Sequence, residues 1–375
     1  MQWLNTAVLS NYSYTQKREI EEVPSDVQTL NWLCTDKAPT DQLEKTIEAA
    51  KAALYSRDLA NTRGSVATPA YMSSAAMELY SQYHSNSLDI EVMSGSGLQA
   101  KGLRLLYGVG QGAVDHSRLI TLSYHGAPTS TKRLAIVGKS VTFDTGGLNL
   151  KTGKHMEDMH LDKAGACAAL GVMRWVLATS FPVNLVVCLA AAENSIGQAV
   201  FKPGDILTSL SGKTVEIKNT DAEGRLALAD AITYTQQRHK PDTLIDLATL
   251  TGSVVVALGE RTAGVFGNHR KLLTDLIVAG KAVDEDLWEL PITQEYRRQM
   301  KGKATDLVND AAGRCGAGQA AAFLEAFVRK KTHWAHIDLA GPATPAQPHR
   351  QFPKGATGFG TQLLIRYLQN SALVH

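Results

Sequence analysis

Between residues 133 and 249 the chain alternates apolar runs that read as strands (133–137, 183–191, 213–218 and 243–249) with runs of helical periodicity (163–178 and 226–237). Further helices are expected at 272–284, 318–330 and 359–369, flanking a last strand at 336–339. Strand and helix in turn predict an α/β fold, with a central, largely parallel mixed sheet flanked by helices on both faces. In open sheets of that kind, ligands bind beyond the carboxyl ends of the strands. The loops that follow the strands are therefore where chemistry is to be sought.

Ahead of this region, Thr68 followed by Pro69 marks a capped helix start running to about residue 83. A strand at 89–93, a helix-like stretch at 98–106 and a strand at 118–124 come next. Residues 1–53 are less regular: a short strand, a polar segment with Pro24 and Pro39, then helical periodicity over 41–55. No internal repeat or low-complexity tract is visible.

With 44% hydrophobic and 20% charged residues over 375 positions, the chain has the make-up of a soluble globular enzyme. A formal net charge of +2 gives no electrostatic footing for nucleic acid, a membrane surface or a polyanionic substrate. Cys34, Cys167, Cys188 and Cys315 are scattered, with no CxxC pair, which predicts reduced thiols and a cytoplasmic setting. The start of the chain lacks the pattern of a secretory signal. The longest strongly apolar run, 185–192, is far too short to span a membrane.

One loop stands out. Asn219-Thr220-Asp221-Ala222-Glu223-Gly224-Arg225-Leu226 joins the strand at 213–218 to the helix at 226–237. It sets two carboxylates two residues apart and an arginine two further on, which is a pattern for metal and anion chemistry. A second stretch upstream supplies Lys139, Asp144, Lys151 and Asp162, with Gly146-Gly147 letting backbone come close to whatever Asp144 holds. Asp144 is expected in a short loop after the strand at 133–137. Asp162 stands where the helix at 163–178 begins, a place where an N-cap carboxylate is common. Lys139 and Lys151 lie in glycine-bearing apolar text rather than on a charged face.

Carboxylates from two loops, with no histidine obligatory among them, suit hard divalent cations or a pair of zinc ions sharing bridging carboxylates. Two such ions activate a water and polarise a carbonyl together. A lysine joins such a site only as the neutral amine, and an adjacent dication supplies the required fall in pKa. His155 and His160 flank the second stretch and read as loop residues.

The complete octet, with the spacing from Lys139 through Asp144, Lys151 and Asp162 to Asp221, resembles the leucyl (cytosol) aminopeptidase family, whose signature is NTDAEGRL. The resemblance runs from about Leu54 to the C-terminus. It implies a catalytic domain of the aminopeptidase/phosphorylase kind over 54–375, preceded by a short N-terminal segment, 1–53, that is a remnant or truncation of the accessory α/β domain carried by family members. It implies a dinuclear metallo-aminopeptidase that releases N-terminal residues from short peptides. Carried over position by position, one ion falls to Lys139, Asp144, Asp162 and Glu223, and the other to Asp144, Asp221 and Glu223, with the Asp221 carbonyl also available. Lys151 takes the role of an electrophile at the scissile carbonyl. Arg225 holds a small anion, bicarbonate in the family, that relays a proton.

Met159, Thr249, Gly252 and Ala340 resemble the lining of the family's first-residue pocket, and the Leu250 carbonyl is placed to receive the substrate amine. Methionine and small residues there favour leucine or methionine side chains. The ions implied are zinc or manganese, with magnesium and cobalt also open. The assembly implied is a homohexamer, a dimer of trimers. Ser140, Thr152 and Lys163-Ala164 depart from common family text without removing a ligand.

Competing schemes find less in the sequence. There is no H-E-x-x-H and no G-x-S-x-G. Cys167 and Cys188 sit in apolar text with nothing electropositive to activate them. Gly108-Val109-Gly110-Gln111-Gly112-Ala113 fits a dinucleotide fingerprint in letters, but a strand rather than a helix is expected after it. The stretches ending Gly138-Lys139-Ser140 and Gly212-Lys213-Thr214 have Arg133 and Leu207 where a phosphate-binding loop needs its first glycine. A second role on DNA, known among family members, finds no basic stripe here. An inactive relative is expected to have lost a ligand, and none is lost.

Overall fold

The computed structural model describes residues 2–12, 14, 40–313, 315–349, 351–352 and 355–371. Its strands are β1 (Leu88–Ser94), β2 (Arg118–His125), β3 (Leu134–Asp144), β4 (Asn184–Asn194), β5 (Ile206–Thr208), β6 (Thr214–Glu216), β7 (Thr243–Ala248), β8 (Ala263–Gly267), β9 (Leu287–Glu289), β10 (Leu307–Val308) and β11 (His333–Asp338). Its helices are α1 (Gln2–Ser10), α2 (Thr40–Asn61), α3 (Pro69–Gln82), α4 (Ser96–Lys101), α5 (Arg104–Val109), α6 (Ala164–Ala178), α7 (Gly224–Arg238), α8 (Gly252–Leu258), α9 (Arg270–Lys281), α10 (Gln294–Gln299), α11 (Gly316–Glu325) and α12 (Thr361–Asn370).

Eight strands form one sheet in the order β1-β2-β4-β3-β7-β11-β8-β9. The central four, β4, β3, β7 and β11, run parallel. On one side β2 returns antiparallel to β4, and on the other β8 runs antiparallel to β11. Side chains alternate between two cores: Ile136, Val187, Leu247 and Ile337 face a layer with α2, α3, α6, α9 and α12, while Ala135, Val186, Leu244 and Trp334 face one with α5, α7 and α11. Burial on both faces is why these strands read as unbroken apolar runs. The mixed, mainly parallel sheet with helices on each face is the architecture expected from the alternation.

Several local expectations are corrected. The strand at 133–137 continues to Asp144, because β3 pairs with β4 along its whole length, with an irregularity between Val141 and Asp144. Asp144 is therefore the last residue of the strand and not part of a following loop. The octet's strand, β6, belongs to a separate three-stranded sheet, β10-β6-β5, rather than to the central one. Lys163, not Asp162, occupies the N-cap of α6, and Asp162 closes a 3₁₀ turn over Met159–Leu161. The helix-like stretch 98–106 is two short helices separated at Gly102, whose φ of 91° ends the first.

Among the described residues of the first 53 there is no strand: Gln2–Ser10 is helical, and Leu9 is buried with Ala50 and Ala53 of α2. Pro24, Cys34 and Pro39 lie outside the described residues. Helix α2 runs through position 53 and packs on α6 and α12. Thr68 caps α3 as expected, its side chain accepting from the Tyr71 amide with Pro69 following. After the glycines at 108–112 the next element is β2, not the helix that a phosphate cradle requires.

Candidate active site

The carboxyl ends of the four parallel strands carry the residues singled out above. Asp144 ends β3, Thr249 to Gly252 follow β7, and Ala340 follows β11. Lys139 reaches the same place from within β3, and α7 delivers Glu223 from its N-cap position. Close packing of α7 over Lys139 depends on glycine: a Cβ on Gly224 would meet the Lys139 Cε at 2.4 Å. Gly146, at φ 84°, turns the chain beside Asp144, where a Cβ would meet the Asn149 carbonyl oxygen at 2.5 Å.

The cluster holds four carboxylates and two ammonium groups. Lys139 Nζ lies 2.7 Å from Asp162 and 3.0 Å from Glu223, and it donates to the Thr249 carbonyl at 3.0 Å. Lys151 Nζ lies 2.9 Å from Asp144 and 2.5 Å from Asp221. Asp144 Oδ1 accepts from the Gly146 amide and from Asn194 Nδ2, at 2.9 and 2.8 Å. Asp162 Oδ1 also accepts from the Thr249 hydroxyl at 2.7 Å. Among the described residues, Glu223 Oε2 is buried without a hydrogen-bond partner.

Burial raises the pKa of Glu223, reinforced by Asp144, and it raises those of Asp162 and Asp221 likewise. Burial works the other way on Lys139, but Asp162, Glu223 and Asp144 outweigh it and hold the ammonium well above the ordinary lysine range. Lys151 is raised too: burial opposes its charge, and Asp144, Glu223 and Asp221 together win.

Crowded carboxylates that are forced to keep protons or lysines nearby make a site short of positive charge. Asp144, Asp221 and Glu223 each offer an oxygen, all within 4.8 Å of one another, which is room for a shared cation. The donor set is oxygen with one amine, and the orphaned Glu223 oxygen sits inside it, so the residues fit a divalent metal.

Lys139, Asp144, Lys151, Asp162, Asp221 and Glu223 all line one cavity of about 530 Å³. Met159, Thr249, Leu250, Gly252 and Ala340 form part of its wall, with Asn149, Thr152, His155, Asp158, Val255 and Thr344. Arg225 lies behind the cavity, 6% exposed. Its Nη1 donates to the Asn309 carbonyl at 2.8 Å, and its Nε is buried without a partner among the described residues. His160 turns away from the cluster and is buried against the Arg63 guanidinium.

Three further polar residues hold the site together, and of these only Thr220, inside the octet, was in view from the sequence. Asn194, at the end of β4, bonds both Asp144 and the Thr220 carbonyl. Thr220 ties the octet to the Gly146 carbonyl and to the Asn149 amide. Asn309 donates to the Asn219 carbonyl and accepts from the Lys218 amide. Their one sequence signal is position, directly after a strand or within the octet.

Comparison with known proteins shows the family to which such a chain belongs. Residues 54–365 match the family described as the cytosol aminopeptidase family, catalytic domain. A protein of Syntrophotalea carbinolica described as a probable cytosol aminopeptidase is 40% identical over 370 residues, covering 96% of this chain and 73% of its own. Another so described, from Pseudomonas fluorescens (strain Pf0-1), is 39% identical over 371 residues, with 98% and 73% covered. The solved structure of the bottromycin maturation enzyme BotP in complex with Mn superposes with a TM-score of 0.90 at 32% identity, covering 100% of this chain and 79% of that one. With its own carboxylate cluster fit for divalent metal, the chain belongs to the cytosol aminopeptidase family and is a metal-dependent aminopeptidase.

Proposed function

We propose that this aminopeptidase works with two divalent ions, one held by Lys139, Asp144, Asp162 and Glu223, the other by Asp144, Asp221 and Glu223 with the Asp221 carbonyl. The observation that carries the reading is the crowd of four carboxylates in one cavity, Asp144, Asp162 and Glu223 of them buried, with a Glu223 oxygen that no described residue satisfies. When bound, such ions would supply an acidified water and a polarised scissile carbonyl. Manganese and zinc both suit an oxygen-rich site with one nitrogen donor, and the Mn in the BotP complex is a reason to test manganese first.

The chain's own residues do the rest. Lys139, deep and surrounded, would serve as an amine ligand, a bound ion displacing its proton to solvent. Lys151 sits nearer the cavity, its side chain 15% exposed, and is the cation left to face the substrate carbonyl once Asp144 and Asp221 turn to the ions. Arg225 has an unsatisfied buried Nε and a planar fork of donors, which suits bicarbonate. The Leu250 carbonyl receives the substrate's free amine, restricting cleavage to the N-terminal residue. Met159, Thr249, Gly252 and Ala340 receive its side chain, with leucine or methionine preferred.

In this reading residues 54–375 form the catalytic unit, with 1–53 as a short N-terminal segment whose helix α2 is shared. No helix among the described residues is long and apolar enough to cross a membrane. We place the enzyme in the cytoplasm and assign it the homohexamer of its family, which light scattering across protein concentration would test.

The function is tested by stripping the protein of metal and reloading it separately with manganese, zinc, cobalt and magnesium, using a leucine chromogenic amide, beside Asp221→Ala. Activity should return with metal and stay absent in the variant. A folded protein that binds two ions and hydrolyses no aminoacyl amide would overturn the reading.

A further inference from the structure

Asp338 is the last residue of β11 and stands beside Ala248, the last residue of β7, in parallel register. It is fully buried, yet it takes no part in the carboxylate cluster. Its bonds go to the segment that leaves β7. Oδ1 accepts from the amides of Leu250 at 3.0 Å, Thr251 at 3.4 Å and Ala340 at 3.4 Å. Oδ2 accepts from the Thr251 hydroxyl at 2.6 Å. That hydroxyl oxygen in turn accepts from the Val254 amide and caps α8, whose first residue is Gly252.

The same segment is fixed at its other end by the cluster, since Thr249 donates to Asp162 and accepts from Lys139. Residues 249–252 are thus stretched between two anchors. The cluster sets one, and Asp338 sets the other. Between them lie the Leu250 carbonyl and the Gly252 wall, with Ala340 bonded to the same carboxylate. A carboxylate suits this place because it only accepts, whereas every neighbour named here donates to it. An amide would turn a donor toward either the three backbone N–H groups or the Thr251 hydroxyl.

We propose that Asp338 is a positioning residue for substrate recognition, setting where the Leu250 carbonyl and the first-residue pocket stand relative to the metal cluster. This rests on the aminopeptidase reading above, in which that carbonyl and pocket hold the substrate's first residue. Asp338 touches neither substrate nor metal; it acts through the 249–252 segment.

The test compares the manganese-loaded wild-type enzyme with Asp338→Asn and Thr251→Val, the second removing the hydroxyl link at nearly constant volume. Leucine and alanine chromogenic amides are assayed, and bound manganese is counted in each protein. The expected result is a KM for the leucine amide raised tenfold or more in Asp338→Asn, with kcat changed less than threefold and manganese content unchanged. The leucine-over-alanine ratio of kcat/KM should fall by a similar factor. Thr251→Val should shift both in the same direction by a smaller factor. KM and ratio at wild-type values in either folded variant, with only a lower melting temperature, would overturn the proposal. Equal losses on both substrates together with lost manganese would overturn it too, by placing Asp338 in support of the metal cluster. Failure of the aminopeptidase reading itself would show separately, as a wild-type enzyme inactive on both amides.

Discussion

Lys139 and Lys151 share one cluster of carboxylates, and what separates them is depth. Lys139 is 3% exposed and enclosed by Asp162, Glu223 and the Thr249 carbonyl, so it has nowhere else to direct its nitrogen. Lys151 bridges Asp144 and Asp221 at the cavity wall and is free to turn toward a substrate. Replacing Lys151 with alanine should therefore leave both metals in place and lower kcat by about 10²- to 10³-fold, the usual loss when one preorganised donor to a developing oxyanion is removed. Replacing Lys139 should instead weaken metal binding, read by chelator competition. If Lys151→Ala lost metal and kept its kcat on reloading, the two roles would be exchanged. Loading should also depend on pH. Glu223 and Asp162 carry raised pKa values in the metal-free site, through burial first, so protons compete with the ions for their oxygens. Apparent metal affinity should rise with pH, and go on rising after both carboxylates are ionised because Lys139 must also lose its proton to bind an ion; affinity that fell with rising pH would contradict this.

At the scale of elements, Glu285 shows a helix start being capped from outside. Gly360, the N-cap of α12, has a φ of 95° and no side chain to offer. Glu285 Oε2 takes its place, accepting from the Gly360 and Leu363 amides at 2.9 Å each. Burial pushes the Glu285 carboxyl up to about 7 from an ordinary 4.5, against those bonds and the nearby Arg57 charge. A folded-state pKa above the unfolded one means the stabilising proton is fully held below pH 4.5, and the benefit is lost as pH rises through 7. Glu285→Gln does not titrate. The stability of the wild type relative to that variant should fall by about 3 kcal/mol between pH 4.5 and pH 8. Urea unfolding at both ends of that range checks it; a difference that stayed constant would show that the carboxyl keeps one protonation state throughout.

Elements also mark how far the sequence could be read. The central strands were legible because burial on both faces leaves them uniformly apolar. β8 and β9, with α8 and α10, were not. They are short, β8 begins and ends beside glycine, and α10 is polar throughout. The alternation in 213–218 announced a strand but not its sheet, since pairing partners leave no mark on a three-residue strand. Lys139, Asp144, Lys151, Asp162, Asp221 and Glu223 were singled out by type, spacing and family resemblance, and the fold brings them to one cavity. Asn194, Asn309 and Asp338 were missed because what they bond is decided by strands meeting at one end of the sheet, and neither residue type nor periodicity carries that information.

At the scale of the whole molecule, the cluster joins parts of the chain that share little else. Asp144 comes from β3, Asp162 from the turn before α6, and Asp221 and Glu223 from the loop before α7. Two lysines balance part of this negative charge, and burial raises the pKa values of Glu223, Asp162 and Asp221. In the two-ion reading proposed above, divalent ions would replace that compromise with bonds to each of these elements, so they should stabilise the fold as well as serve the reaction. Binding to the native state alone adds about 4 kcal/mol when free metal is a thousandfold above its dissociation constant. In a chain of this size that corresponds to a rise of about 5 °C in melting temperature. The measurement is a thermal scan of stripped protein with and without manganese, beside Asp221→Ala and Lys151→Ala. The shift should be large in the wild type, preserved in Lys151→Ala and sharply reduced in Asp221→Ala. An equal shift in all three would mean that the stabilising ion binds elsewhere on the protein, and it would separate metal-dependent stability from the site at the ends of the parallel strands.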